Sequence, residues 1–189
     1  MDGVMTGSKP HLFTVADYYR MTDAGLFNED SRVELIRGQI IDMPAIGAPH
    51  FRMVNRLNRL LVPLVGARGI VSVQNPVRLD DGSEPQPDVT ILHPRMDAKD
   101  AGTPGPADVL LLIEVADSSL GFDRGTKLPL YAEAGISEFW IVNLQERVIE
   151  VHRDPEGDRY ARVRRAGFGE SLDIQLLPGL TLPTVELAR

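Results

Sequence analysis

Runs of apolar residues broken at regular points by turn-forming ones divide the chain into short elements. Thr14-Val15-Ala16-Asp17-Tyr18-Tyr19-Arg20-Met21 predicts a capped helix, with Thr14 as N-cap and Gly25 near its stop. Arg32-Val33-Glu34-Leu35-Ile36 and Gln39-Ile40-Ile41-Asp42-Met43 flank Arg37-Gly38, a tight hairpin signal. From Pro49 to about Gly66 the period changes to that of a helix: Val54, Leu57, Leu60, Leu61 and Leu64 trace an apolar stripe, with Pro63 placed to end or kink it. Three strands are predicted next, over Ile70–Gln74, Val77–Leu79 and Pro87–Leu92. The Pro-, Gly- and Asp-rich stretch 94–106 reads as a mobile excursion. A strand over Leu110–Val115 and a helix from Asp123 to Ala134, closed by Gly135, come after it; Pro129 fits that helix only in a first turn. Glu138–Val142, Val148–His152 and Tyr160–Val163 predict a β-meander, with a turn at Pro155–Asp158. The order of elements predicts an α+β (α/β) domain: a mixed β-sheet flanked by helices, with a C-terminal β-meander.

Composition narrows this further. The 189 residues, 43% hydrophobic and 25% charged, suit a single domain, expected over residues 11–189 behind a polar, flexible leader, residues 1–10. No apolar run approaches the ~20 residues of a membrane helix, and no secretory pattern opens the chain. The absence of cysteine excludes disulfides, thiolate zinc sites and a cysteine nucleophile, and fits a cytoplasmic location. A net charge of −7 argues against a general nucleic-acid coat but leaves room for a local basic patch.

The most informative chemistry is two carboxylates in apolar settings. Asp88 opens one predicted strand and Glu114 nearly ends the next. An antiparallel pairing across the intervening excursion would set them opposite each other on one face. Two carboxylates at cross-strand distance repel unless one takes a proton or a cation bridges them. Mg²⁺ or Mn²⁺ suits such oxygen ligands, and can polarise a phosphoryl group and activate water. From spacing alone two readings stand: metal ligands, or strand-end acids that are solvated or paired with arginine.

Glu34 is a third acid among apolar neighbours; alternation would put it opposite Val33 and Leu35, toward solvent, and its plain reading is a salt bridge to Arg32 or Arg37. Lys127 shares a helix face with Arg124 and Tyr131 and reads either as a surface lysine or as a group that orients water and neutralises phosphoryl charge. His50 precedes the long helix as a cap, a surface residue or a site residue. Arg52, Arg56 and Arg59 make a basic stripe that can track a phosphate backbone or be the solvated face of an amphipathic helix. The chain has no P-loop, no Gly-Xaa-Ser-Xaa-Gly and no HExxH motif.

Taken in order, Val33-Glu34-Leu35-Ile36-Arg37-Gly38, His50 before the Leu-rich helix, Pro87-Asp88-Val89, Ile113-Glu114-Val115-Ala116-Asp117-Ser118-Ser119, Asp123 through Tyr131, and Ala134 through Val142 resemble the successive blocks of the Uma-two family. This is a restriction-endonuclease-like family of the PD-(D/E)XK nuclease superfamily, and the resemblance covers roughly Thr14 to Tyr160. It implies a Mg²⁺-dependent (or Mn²⁺-dependent) endonuclease acting on DNA, with Asp88 and Glu114 as metal ligands, a Val115 backbone carbonyl as a further ligand, and Glu34 as an additional catalytic acid. The superfamily lysine two residues after Glu114 is replaced by Ala116; Lys127, on the next helix, is the substitute the family resemblance implies. A homodimer is the matching assembly, with the exposed strands after Trp140 as the interface. The competing readings are a non-catalytic nucleic-acid-binding or assembly module that keeps the fold, and a metal-free acid–base hydrolase.

Overall fold

The computed structural model describes residues 9–27 and 31–188; most of the anticipated leader, residues 1–8, lies outside them. Helix α1 (Val15–Asp23) begins in a capping box, in which Thr14 accepts from the Asp17 N–H and Asp17 accepts from the Thr14 N–H. Strands β1 (Val33–Ile36) and β2 (Gln39–Asp42) pair antiparallel around Arg37-Gly38, both at positive φ. A Cβ at Gly38 would lie 2.6 Å from that of Leu12, so this turn accepts only glycine. The hairpin forms its own two-stranded sheet, joined by a Leu35–Glu84 bridge to the segment that leads into Asp88.

Helix α2 (Ala48–Val65) runs as anticipated, with Met53, Val54, Leu57, Leu61 and Val65 buried. Pro63 falls in its last turn, where its missing N–H costs one bond and the helix ends two residues later. Strands β3 (Ile70–Val73), β4 (Val89–Leu92) and β5 (Val109–Ala116) follow. The predicted Val77–Leu79 strand does not form; Val77 and Leu79 instead bond back to Pro85 and Ser83 across a local turn. The excursion between β4 and β5 closes on itself: two short 3-10 turns flank it and Arg95 pairs with Asp108 across its base.

The helix anticipated from Asp123 to Ala134 is interrupted. A single turn at Leu120–Phe122 widens into a π-turn, Asp123–Lys127, before α3 (Leu128–Glu133). Pro129 explains the break. Its ring cannot continue an ordinary helix, and the π-turn moves it to the start of α3, where its missing N–H is harmless. Strands β6 (Glu138–Asn143), β7 (Val148–Glu156) and β8 (Arg159–Gly167) form the meander, and a short pair, β9 (Ser171–Asp173) and β10 (Thr181–Pro183), packs after it.

The main sheet has the order β3-β4-β5-β6-β7-β8. Only β5 and β6 run parallel, because α3 intervenes between them; every other pair is antiparallel. Side chains on β5 alternate between two cores. Leu111, Ile113 and Val115 pack with α2 on one face, whereas Leu112 and Ala116 pack with Tyr131 and Ala132 of α3 on the other. Of the main-sheet strands after Trp140, β8, at the sheet edge, faces solvent along most of its length, whereas β7 is buried over its first half. Among the described residues no helix is long and apolar enough to cross a membrane.

Candidate active site

The register of β4 on β5 pairs Val89 with Ile113, which carries Asp88, one residue before β4, opposite Glu114. The Asp88 N–H reaches Glu114 Oε2 at 3.3 Å, and the Val115 N–H donates to Asp88 Oδ2 at 2.9 Å. This bears out the antiparallel opposition expected of the two acids. Both are buried. Glu114 alternates onto the α3 face, where Lys127 Nζ (2.9 Å) and the Tyr131 hydroxyl (2.8 Å) both donate to its Oε1. The π-turn is what delivers Lys127 there. Arg124, which would share its face on a regular helix, turns away and pairs with Glu150.

Glu34 departs from the expected solvent-facing position. All four residues of β1 are buried, and Glu34 itself is 1% exposed. The hairpin lies over the open end of the sheet, so Glu34 Oε2 accepts from the Gln86 N–H at 3.2 Å and stands 3.3 Å from Lys127 Nζ. Neither arginine proposed as its partner takes it: Arg37 pairs with Glu133, and Arg32 donates to the Pro44 carbonyl. Lys127 therefore bridges Glu34 and Glu114 inside the cleft.

Three further groups complete the site. Asp123, buried in the π-turn, accepts from Ser119 Oγ at 2.7 Å. His50, at the start of α2, reaches the site through Asp88 rather than capping the helix: its Nε2 lies 2.8 Å from Asp88 Oδ2, while Gln74 donates to Asp88 Oδ1 at 3.3 Å. Asp123 carried no sequence signal beyond its place before Lys127, and Gln74 none; only a residue-level register connecting β3 to β4 would have found it. The cleft encloses about 640 Å³, and Glu34, Asp88, Glu114, Asp123 and Lys127 all line it.

Four carboxylates face one ammonium here, and their ionisation reflects that excess. Burial, set against the pull of Lys127 and reinforced by the Asp88, Asp123 and Glu34 carboxylates, raises the Glu114 carboxyl to about 8. Asp123 moves up by burial and by the neighbouring Asp88 and Glu34 charges, although Ser119 and Lys127 oppose the change. Burial also works against charge on Asp88, but His50, the Val115 N–H and Lys127 outweigh it and hold that carboxyl below its ordinary value. Burial alone would discharge Lys127; Glu114 and Glu34 reverse the sign and fix it as a cation.

This donor set fits a hard divalent cation. It offers oxygen ligands only, opposite one another, with negative charge that the resident lysine does not balance. Among the described residues no three His, Asp or Glu side chains gather into a complete cage. Mg²⁺ needs none, since one or two carboxylates hold it while waters and substrate phosphate fill the remaining positions. The anticipated arginine stripe forms on the outer face of α2, where Arg52, Arg56 and Arg59 line a shallow groove with Phe51 and Asn55.

The profile of the Uma2 (Uma-two) family, described as "Putative restriction endonuclease", matches residues 15–185. No curated protein sequence matches the chain. Among solved structures, the chain is similar to a "putative nuclease belonging to DUF820" from Anabaena variabilis ATCC 29413, at a TM-score of 0.71 and 14% identity, over 93% of this chain and 97% of that one. At that identity the likeness establishes a shared fold.

Proposed function

Because the chain belongs to the Uma2 family of restriction-endonuclease-like proteins, we propose that its cleft is the active site of a divalent-metal-dependent endonuclease that hydrolyses phosphodiester bonds in DNA. The observation that carries this reading is the opposition of Asp88 and Glu114 in a cleft with more negative charge than Lys127 can neutralise.

Asp88, Glu114 and the Val115 carbonyl would hold Mg²⁺ or Mn²⁺. When bound, that ion supplies Lewis-acid polarisation of the phosphoryl oxygen and a more acidic water. The chain's own groups do the positioning. His50 and the Val115 N–H fix the Asp88 carboxylate, and Tyr131 fixes that of Glu114. Lysine has three donors. Two of those on Lys127 meet Glu114 and Glu34, and the third is available to orient an attacking water against the phosphoryl group. Glu34 holds the ammonium in place and accepts a proton from that water. On the outer face of α2, Arg52, Arg56 and Arg59 follow the backbone phosphates.

The test is cleavage of plasmid and oligonucleotide DNA, and of RNA, with Mg²⁺ or Mn²⁺. Wild-type protein is expected to cut DNA, and Asp88→Ala to lose on the order of 10³-fold in rate, about 4 kcal/mol of transition-state stabilisation. An inert wild type, or an Asp88→Ala variant that cuts as well, would overturn the proposal. Calorimetry with Mn²⁺ separates this from a non-catalytic binding module, for which no Mn²⁺ would bind while DNA still did.

A further inference from the structure

Most arginines of this acidic chain are neutralised where they stand: Arg37 by Glu133, Arg78 by Glu84, Arg95 by Asp108, Arg124 by Glu150 and Arg153 by Glu138. Arg32 forms no ion pair among the described residues, and it lines the acid-rich cleft itself. It is half-buried, immediately before β1, and its Nη1 donates to the Pro44 carbonyl at 2.8 Å, a group on the same cleft wall. One hydrogen bond uses one of its five N–H donors. The other resident cation, Lys127, is already engaged by Glu34 and Glu114. A phosphodiester entering a cleft lined by five acidic residues, the exposed Asp42 and the buried Glu34, Asp88, Glu114 and Asp123, meets their repulsion, and Arg32 is the cationic group placed to receive it without giving up a carboxylate.

We propose that Arg32 is the anion subsite of the cleft, clamping a phosphate oxygen of the nucleic-acid strand beside Asp88 and Glu114. This rests on the reading of the cleft as a phosphodiester site. The planar guanidinium suits a phosphate through paired N–H donors, and the Pro44 carbonyl fixes its orientation before the substrate arrives. Held this way, the side chain loses little freedom on binding.

The experiment compares wild type with Arg32→Ala, Arg32→Gln and Arg32→Lys, following cleavage of one DNA oligonucleotide with Mn²⁺ and binding of the same oligonucleotide with Ca²⁺ across a salt series. Arg32→Ala and Arg32→Gln are expected to lose roughly 10²-fold in kcat/KM, as removal of one preorganised charge-stabilising donor does. Arg32→Lys should recover part of the loss. The slope of log affinity against log salt should fall by about 0.7–0.9 in the Ala and Gln variants, one phosphate contact. Glutamine keeps a donor for the Pro44 carbonyl but no charge, so full activity in Arg32→Gln would show that Arg32 only staples the loop and would overturn the proposal. An unchanged salt slope would do the same. A wild type that cuts nothing would defeat the reading of the cleft as a nuclease site, and the salt slope would still decide whether Arg32 contacts phosphate.

Discussion

Glu114 near the end of β5 and Glu138 at the start of β6 are buried carboxylates on neighbouring parallel strands, and they are held in opposite ways. Glu138 is saturated. Its Oε1 accepts from Trp140 Nε1 and Arg153 Nε, both at 2.8 Å, and its Oε2 from the Gln175 N–H at 2.7 Å. Arg153 also pairs with Asp173 at 3.2 Å, but that carboxylate is left to solvent, so inside the fold one buried carboxylate meets one guanidinium. Glu114 has donors as well, but it shares a single lysine with Glu34 in a cleft that also holds Asp88 and Asp123. Burial raises both carboxyls, and so does not distinguish them. What distinguishes them is charge balance: Glu138 completes a structural joint between β6, β7 and the segment after β9, whereas Glu114 stands in a cluster still short of positive charge.

The largest expected effect breaks the structural joint. Glu138→Ala leaves the half-buried Arg153 and the buried Trp140 N–H without their partner, and should lower stability by about 3–5 kcal/mol. Denaturant unfolding measures the loss, and cleavage per folded molecule should stay at the wild-type level. Asp88→Ala should do the reverse, removing activity at nearly unchanged stability. If Glu138→Ala left stability intact, or Asp88→Ala unfolded the protein, the division between a balanced joint and an unbalanced site would collapse.

The same contrast explains what could be read from the sequence. An acid in an apolar run describes Glu114, but it describes Glu138 before Phe139-Trp140 and Glu150 between Ile149 and Val151 equally well; the last pairs with Arg124. Burial marks all three, and only the order of blocks around Asp88 and Glu114 singled out one. The facing of Asp88 and Glu114 was legible because two short strands joined by one excursion have a simple antiparallel register. The position of Lys127 was legible as a residue but not as a geometry, since a π-turn forced by Pro129 separates it from Arg124. Glu34 was misplaced because alternation assumes one wet face, and the hairpin has none at that position. His50 and Asp123 depend on how α2 and the π-turn meet the end of the sheet, which no local pattern encodes.

Proton linkage gives the next largest effect. Glu114 has an ordinary value of 4.5 and lies at about 8 in the fold. Between those values the folded state holds a proton that the unfolded chain has released, so stability falls as pH rises. Without divalent metal, unfolding free energy should decline by on the order of 2–4 kcal/mol between about pH 5 and pH 8. Asp123 and Glu138, also raised, add in the same direction. Glu114→Gln should flatten the decline, and saturating Mn²⁺ should offset it at the alkaline end, because a bound cation replaces the proton. A decline of equal steepness in Glu114→Gln would place the effect elsewhere and remove the claim that the cleft is short of positive charge.

The smallest effect has the sharpest sign. Among the described residues the one side chain hydrogen-bonded to Asp123 is Ser119, and the carboxyl lies in the opposing fields of Lys127 and of Asp88 and Glu34. Asparagine keeps the shape and removes a buried charge that competes with those of Asp88 and Glu34, so Asp123→Asn should stabilise the metal-free protein at pH 7.5 by on the order of 1 kcal/mol. The same acid-to-amide exchange at Glu138 should destabilise it, because a neutral side chain no longer balances Arg153, and a glutamine amide turned toward the Gln175 N–H meets a donor with a donor. Thermal unfolding of the two variants side by side measures both shifts. Opposite signs from one chemical change follow only if one carboxylate sits in a balanced centre and the other in an overcharged one; shifts of the same sign would mean that the two regions differ in geometry but not in electrostatics.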